Sequence, residues 1–175
     1  MGNLATTLTA SQDLLFRYAE ALLKDVPADK FARFPEGKHG PINTNHPAFL
    51  YGHMSLYPAK TLAAVGVTDG GVPDPAGFAD LFAAGKECRD DPDGTIYPAM
   101  EVITAHFFGA HRAMFAKLAE LTDEHLSKPH GLESDFAKRF PTRAAFAAFL
   151  VGPHPFTHIG QMSVWRRCMG LPGAF

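Results

Sequence analysis

The stretch HPFTHIGQ, from His154 to Gln161, places two histidines four residues apart. Residues at i and i+4 of a helix lie on one face with Cβ atoms about 5–6 Å apart, so both imidazoles can reach one ion. His154 and His158 also continue a stripe with Leu150, Gln161 and Trp165, which predicts that both rings point into the protein. A buried polar group without a partner costs about 1–3 kcal/mol. A shared metal ion is one partner that satisfies both rings.

A metal site of this kind needs a third ligand from another helix, and His53 is the best candidate. It follows Gly52 in the apolar stretch FLYGHMSLY, which is predicted to be helical. Three imidazoles leave a divalent ion its full charge and one open coordination position, as in catalytic zinc sites. Imidazole ligands suit Zn, Ni, Cu or Fe, and we expect one divalent transition metal, Zn or Ni first.

The alternative is that these histidines are ordinary core residues, each with its own hydrogen bond. The chain has nine histidines, so an i, i+4 pair can arise by chance, and the stronger zinc motif H-E-x-x-H is absent. His111, one turn beyond Phe107, can face the core and line a pocket. The remaining histidines are predicted to lie outside the site: His39, His125 and His130 in polar loops, His106 on a helix surface, and His46 at a helix N-terminus.

Four segments have the apolar periodicity of helices, and no segment alternates convincingly like a strand. Proline, glycine and basic residues mark their ends. Pro153 and Pro155 predict a kink or a fresh helix start at His154, with Pro155 in the first turn. The segments are approximately Thr9–Val26, His46–Val65, Pro98–Leu121 and Thr142–Met169.

The connection between the second and third segments is about thirty residues long and rich in Gly, Pro and Asp, with one apolar knot from Phe78 to Phe82. It is too long for a hairpin and can carry the chain back along a bundle. We therefore predict an all-α protein, a single domain over residues 1–175. Its expected architecture is a four-helix bundle with a long crossover between helices two and three.

Composition excludes several function classes. The formal charge of −2 provides no basic field for nucleic acid or anionic lipid. No apolar run reaches membrane-spanning length, and the N-terminus lacks the pattern of a signal peptide, so we expect a cytoplasmic protein. Cys88 and Cys168 match neither a disulfide framework nor a metal motif and are predicted to be free thiols.

The pairing of GH in the second segment with HPFTHIGQMSVWRRCMG in the fourth resembles the DinB-like (YfiT-like) superfamily of helical metalloproteins. Members typically carry His-x-x-x-His-x-Gly-Gln on the fourth helix, followed by an Arg and a Gly. The resemblance extends over the whole helical layout, including the crossover. It implies a metal site formed by His53, His154 and His158, and a homodimer. The chain departs from the usual pattern at Pro155 and Thr157, where members commonly have Glu and His.

The expected activity is that of a metal-dependent enzyme acting on a small molecule. Some members of the superfamily are transferases or isomerases that use a low-molecular-weight thiol, so a thiol-dependent S-transferase or isomerase with a thiol cosubstrate is our first expectation. The alternatives are a metal-dependent hydrolase and a non-catalytic helical protein that dimerises or binds a ligand. Gln161, near the face of His158, is either a hydrogen-bonding partner of the site or a polar residue near the bundle end.

Overall fold

The computed structural model describes residues 2–174, and this part of the chain is mostly helical, in agreement with the predicted all-α class. A small antiparallel hairpin joins β1 (Glu36–Gly37) to β2 (Gly40–Pro41). Two short 3-10 turns cover Ala28–Lys30 and Ala137–Arg139. The helices are α1 (Asn3–Thr9), α2 (Gln12–Leu23), α3 (Pro47–Ser55), α4 (Tyr57–Ala64), α5 (Phe78–Phe82), α6 (Met100–Glu120), α7 (Asp123–Leu126), α8 (Arg143–Val151) and α9 (Pro153–Cys168).

The first predicted segment begins too late in the sequence. The predicted segment starts at Thr9, but α1 already begins at Asn3 and ends at Thr9. The Thr9 hydroxyl donates to the carbonyl of Ala5 within the same helix, at 3.0 Å. A threonine satisfied in this way does not cap a new helix, so α2 starts separately at Gln12.

The second and fourth predicted segments are each interrupted by proline. Pro58 has no N–H to donate, so α3 ends at Ser55 and α4 starts at Tyr57. In the fourth segment the chain turns at Gly152, and Pro153 is the first residue of α9. Proline is tolerated there because N–H groups of a first turn have no intrahelical acceptor. Of the two predicted alternatives, a kink and a fresh helix start at His154, the structure has the helix start, one residue earlier at Pro153.

Helix α3 lies at the centre of the molecule. Every residue of α3 is buried, and the helix packs against α5, α6 and α9. The Tyr51 hydroxyl donates to the Ala19 carbonyl of α2 at 2.7 Å, and its ring lies 5.0 Å from that of Phe107 on α6. The residues that α3 carries are therefore held from several sides.

Among the helices of residues 2–174, none combines the length and the apolar character that a membrane span requires.

Arg166 anchors α9 to the rest of the protein without a carboxylate partner. Its side chain is buried, and Nη1 donates to the carbonyls of Leu22 and Lys24 at 2.8 and 2.6 Å. Its Nη2 donates to the carbonyl of Pro172 at 2.9 Å. One guanidinium thus joins α9, the end of α2 and the C-terminal tail.

We predict that Arg166→Gln lowers the free energy of unfolding by at least about 2 kcal/mol, because buried carbonyls lose their donors. Urea denaturation measures the change. Arg167→Gln is the matched control, because Arg167 is the next residue in the chain and its side chain is exposed. Equal stability of the two variants would contradict the anchoring role of Arg166.

Asp91 organises the end of the long connection. Its carboxylate is buried and accepts N–H groups from Thr95, Ile96 and Tyr97 at 2.9–3.1 Å. Burial alone would raise the pKa of Asp91, but the hydrogen bonds from Tyr97, Thr95 and Ile96 outweigh it and hold that pKa below its usual range.

A group whose pKa is lowered in the folded state stabilises the fold above its unfolded pKa and loses that contribution as pH falls. We therefore predict that Asp91→Asn costs about 1–3 kcal/mol at pH 7, and that the difference from the native protein shrinks as pH falls below about 4. Denaturation curves across this pH range provide the measurement. The exposed Asp93→Asn variant should match the native protein; a pH-independent loss in Asp91→Asn would refute the charge argument.

Candidate metal centre

The structure brings together the three histidines that the sequence singled out. His53, His154 and His158, here called the histidine triad, each offer one ring nitrogen to a group whose atoms all lie within 4.8 Å of one another. The Nε2 atoms of His154 and His158 are 3.3 Å apart. Two nitrogens that bind one tetrahedral ion at 2.0–2.1 Å are also about 3.3 Å apart. This pair already has the spacing that a shared ion needs.

Hydrogen bonds outside the triad leave Nε2 of two of its rings free to bind an ion. His53 Nδ1 lies 2.8 Å from the Phe82 carbonyl, which can only accept, so Nδ1 carries the proton. His158 Nδ1 lies 2.9 Å from Gln161 Oε1 and donates in the same way. Metal-binding histidines characteristically donate their second ring N–H to such an oxygen. Gln161 therefore contacts a triad histidine, as one of its two sequence interpretations predicted.

Gly52 explains how the Phe82 carbonyl comes to lie beside His53. A Cβ atom built on Gly52 would lie 2.6 Å from carbons of the Phe82 ring. Only glycine lets α5 approach α3 this closely without displacing that ring. The sequence pair Gly52 and His53 thus provides both a ligand candidate and the space for its hydrogen-bonding partner. Sequence analysis did not identify Phe82 in this role.

The helix start at Pro153 places the other two members of the triad. His154 lies in the first turn of α9, and His158 follows one turn later on the same face. The hydroxyl of Thr157 donates to the carbonyl of Pro153 at 2.8 Å and closes this first turn. The prolines therefore position the histidine pair at a helix terminus instead of disrupting the middle of a longer helix.

Tyr57 was not identified from the sequence, although it follows His53 by four residues. Its ring centroid lies 3.9 Å from that of His154 and 5.0 Å from that of His53. Phe149 contacts His154 from α8, with ring centroids 6.0 Å apart. His154 is thus held between aromatic rings, whereas the other triad members are held by hydrogen bonds. The i, i+4 spacing of His53 and Tyr57 is the sequence signal that could have predicted the contact between their two rings.

All three triad histidines are neutral at pH 7. Burial is the main cause that lowers the pKa of each ring. The pKa of His154 falls to about 3, because His158 and His53 add to the effect of burial. A neutral imidazole is the form that binds a metal ion. The site therefore presents lone pairs, not positive charge, to an incoming cation.

The other candidate histidines lie outside the triad. His111 is buried on α6, and its Nδ1 donates to the Phe107 carbonyl at 2.8 Å. The expectation that His106 is a surface residue is wrong: its side chain is buried, and its Nε2 lies 3.1 Å from Asp74 Oδ1. That contact depends on how the long connection folds back onto α6. His46 accepts the N–H of Phe49 at the start of α3, as predicted.

A scan against protein-family models, a search of curated proteins and a search of solved structures found no match for this chain. Membership of the DinB-like superfamily therefore stays a prediction from the sequence motif.

We predict that His53→Ala, His154→Ala and His158→Ala each reduce bound metal from about one ion per chain to almost none, because two imidazoles make a weak site. Elemental analysis of dialysed protein, purified without an affinity tag, measures this. His125→Ala and His130→Ala are controls, since those rings bond to the carbonyls of Val65 and Phe140. Full stoichiometry in the His53 variant would assign the third ligand elsewhere.

Proposed function

We propose that this protein is a metal-dependent enzyme of the DinB-like type that acts on a small molecule. The histidine triad holds one divalent transition metal, Zn or Ni first. The observation that carries the proposal is the convergence of three neutral imidazoles, two of which are oriented by hydrogen bonds at Nδ1. Histidines that serve only packing have no need to direct their remaining nitrogens toward one another.

The proposed architecture is a four-helix bundle in which two breaks shape the site. In this proposal the four helices of the bundle are α1 together with α2, α3 together with α4, α6 alone, and α8 together with α9. Residues 66–99 form the crossover. Contacts of α3 with α6 and α9, and of α2 with α9, support it. A homodimer, which the DinB-like resemblance implies, is part of the same proposal.

The chemistry depends on the open side of the triad. A divalent ion held there supplies a Lewis acid that lowers the pKa of a thiol or water reaching that side. The triad contributes three neutral ligands and contains no carboxylate. His53 and His158 are kept in one tautomer by the Phe82 carbonyl and Gln161, so their Nε2 lone pairs remain directed at the ion.

The protein's own thiols are unsuited to act as the nucleophile. Cys88 is buried and donates weakly to the Thr44 carbonyl, and burial raises the pKa of its thiol to about 12. Cys168 is a free, exposed cysteine at the far end of α9 from His154. A low-molecular-weight thiol that enters from solution is therefore the nucleophile we propose, which makes the enzyme a thiol-dependent transferase or isomerase.

We expect a thiolate-to-metal charge-transfer band when a thiol is titrated into the cobalt-substituted protein, because coordination deprotonates the thiol. Bacillithiol, mycothiol, glutathione and cysteine are the thiols to test. The His158→Ala protein, which should not hold cobalt, is the control. If none of these thiols produces the band at millimolar concentration while the cobalt spectrum titrates with pH, the hydrolase alternative replaces the transferase. If the protein binds no divalent metal, the alternative of a non-catalytic helical protein replaces both enzyme proposals.

A further inference from the structure

A row of aromatic rings extends from the histidine triad toward solvent. Phe149 lies 6.0 Å from the His154 ring on one side, and 5.0 and 5.4 Å from the rings of Phe136 and Phe140 on the other. Tyr57 contacts His154 directly. We call Tyr57, Phe136, Phe140 and Phe149 the aromatic wall. Its members come from α4, from the segment before α8, and from α8 itself.

Of the aromatic wall, Tyr57 packs against the main hydrophobic core, whereas Phe136, Phe140 and Phe149 lie outside it. Tyr57, Phe140 and Phe149 are half-buried and pack on a separate cluster that includes Phe146 and Leu150. Phe136 is exposed, with 43 % of its surface accessible. Leaving aromatic surface in water costs about 25 cal/mol per Å². A ligand that reaches the histidine triad can cover this surface with its own apolar group.

Lys60 adds a positive charge at the same place. Its Nζ atom lies 4.6 Å from the centre of the Tyr57 ring, and the side chain is exposed. Within residues 2–174, no carboxylate forms an ion pair with Lys60. The Tyr57 ring also contacts the His154 ring, so the Lys60 ammonium lies one aromatic ring away from the triad.

The site therefore carries an excess of positive charge. The triad is neutral and contains no acidic residue, so a divalent cation bound there would keep its full charge. Lys60 adds a second positive charge across the Tyr57 ring, which contacts His154. Two positive centres in one site attract an anion and repel a cation. The ring surface beside them favours a planar apolar group. A ligand that matches both features carries an acidic group and an aromatic ring.

We propose that the substrate of this site is an arylalkyl carboxylate or a closely similar aromatic organic anion. Its carboxylate lies between the metal position and Lys60, and its ring lies against the aromatic wall, with Phe149 at the centre. Lys60 leaves the Tyr57 ring to pair with the carboxylate. This assignment rests on the proposed function, because it names the substrate class of the same metal site.

Isothermal titration of the zinc-loaded full-length protein tests the proposal with three probes. Phenylacetate carries both features, acetate lacks the ring, and phenethylamine keeps the ring but replaces the anion by a cation. We expect phenylacetate to bind about tenfold more tightly than acetate. Phenethylamine should give no measurable binding. Equal affinity for the two carboxylates would overturn the role of the aromatic wall, and tight binding of phenethylamine would overturn the role of charge.

Variants separate the two contributions. Phe149→Leu should weaken phenylacetate binding about fivefold to tenfold and leave acetate unchanged. Phe136→Leu, at an exposed ring, provides a second variant that does not depend on core packing.

Lys60→Gln should weaken the binding of both carboxylates by the same factor, about threefold to fivefold, and Lys60→Arg should restore their affinity. Lys128→Gln is the control, because Lys128 pairs with Glu124 on the surface. Unchanged affinities in Phe149→Leu and Lys60→Gln would refute the proposal.

Metal content is measured before each titration, so two kinds of failure remain distinct. If the protein holds no zinc, the proposed function fails and the substrate class fails with it. If the protein holds about one zinc per chain but does not discriminate among the three probes, only the substrate class is overturned.

Discussion

The site depends on proline interrupting two helical segments where they meet. The missing N–H of Pro58 separates α3 from α4, and Pro153 starts α9 directly after α8. Tyr57 at one break and His154 beside the other bring their rings to 3.9 Å. Without these breaks, each segment would continue as one helix with its regular i to i−4 hydrogen bonds. Tyr57 and His154 would then lie mid-helix and not in the first turn of a new helix. The same feature that lowers helix propensity therefore assembles the centre.

Two histidines outside the triad, His46 and His130, have hydrogen-bonding partners at both ring nitrogens. His46 uses both ring nitrogens, accepting from the Phe49 N–H and donating to the Arg89 carbonyl. His130 also uses both, with backbone groups on either side. In contrast, His53 and His158 each use Nδ1 outside the triad and direct the other nitrogen into it. A metal ion shared by the triad would satisfy these inward-facing nitrogens together.

The long connection between α4 and α6 has a direct part in the site. Its short helix α5 supplies the Phe82 carbonyl to His53, and its Asp74 pairs with His106 on α6. Asp91 then fixes the return of the chain through three backbone N–H groups. A segment whose composition predicted only a crossover thus orients one of the three ligand candidates.

Sequence alone determined the features that depend on local spacing. The i, i+4 spacing of His154 and His158, the apolar periodicity, the helix start at the prolines and the cap at His46 all follow from backbone geometry within one or two turns. The tertiary structure decided the contacts between distant segments: the Phe82 carbonyl at His53, Asp74 at His106, and the aromatic wall beside His154. Backbone carbonyls leave no signature in a sequence, because every residue has one. Which carbonyl or ring meets a given histidine is set by long-range packing, and only the folded chain brings those atoms within hydrogen-bonding or stacking distance.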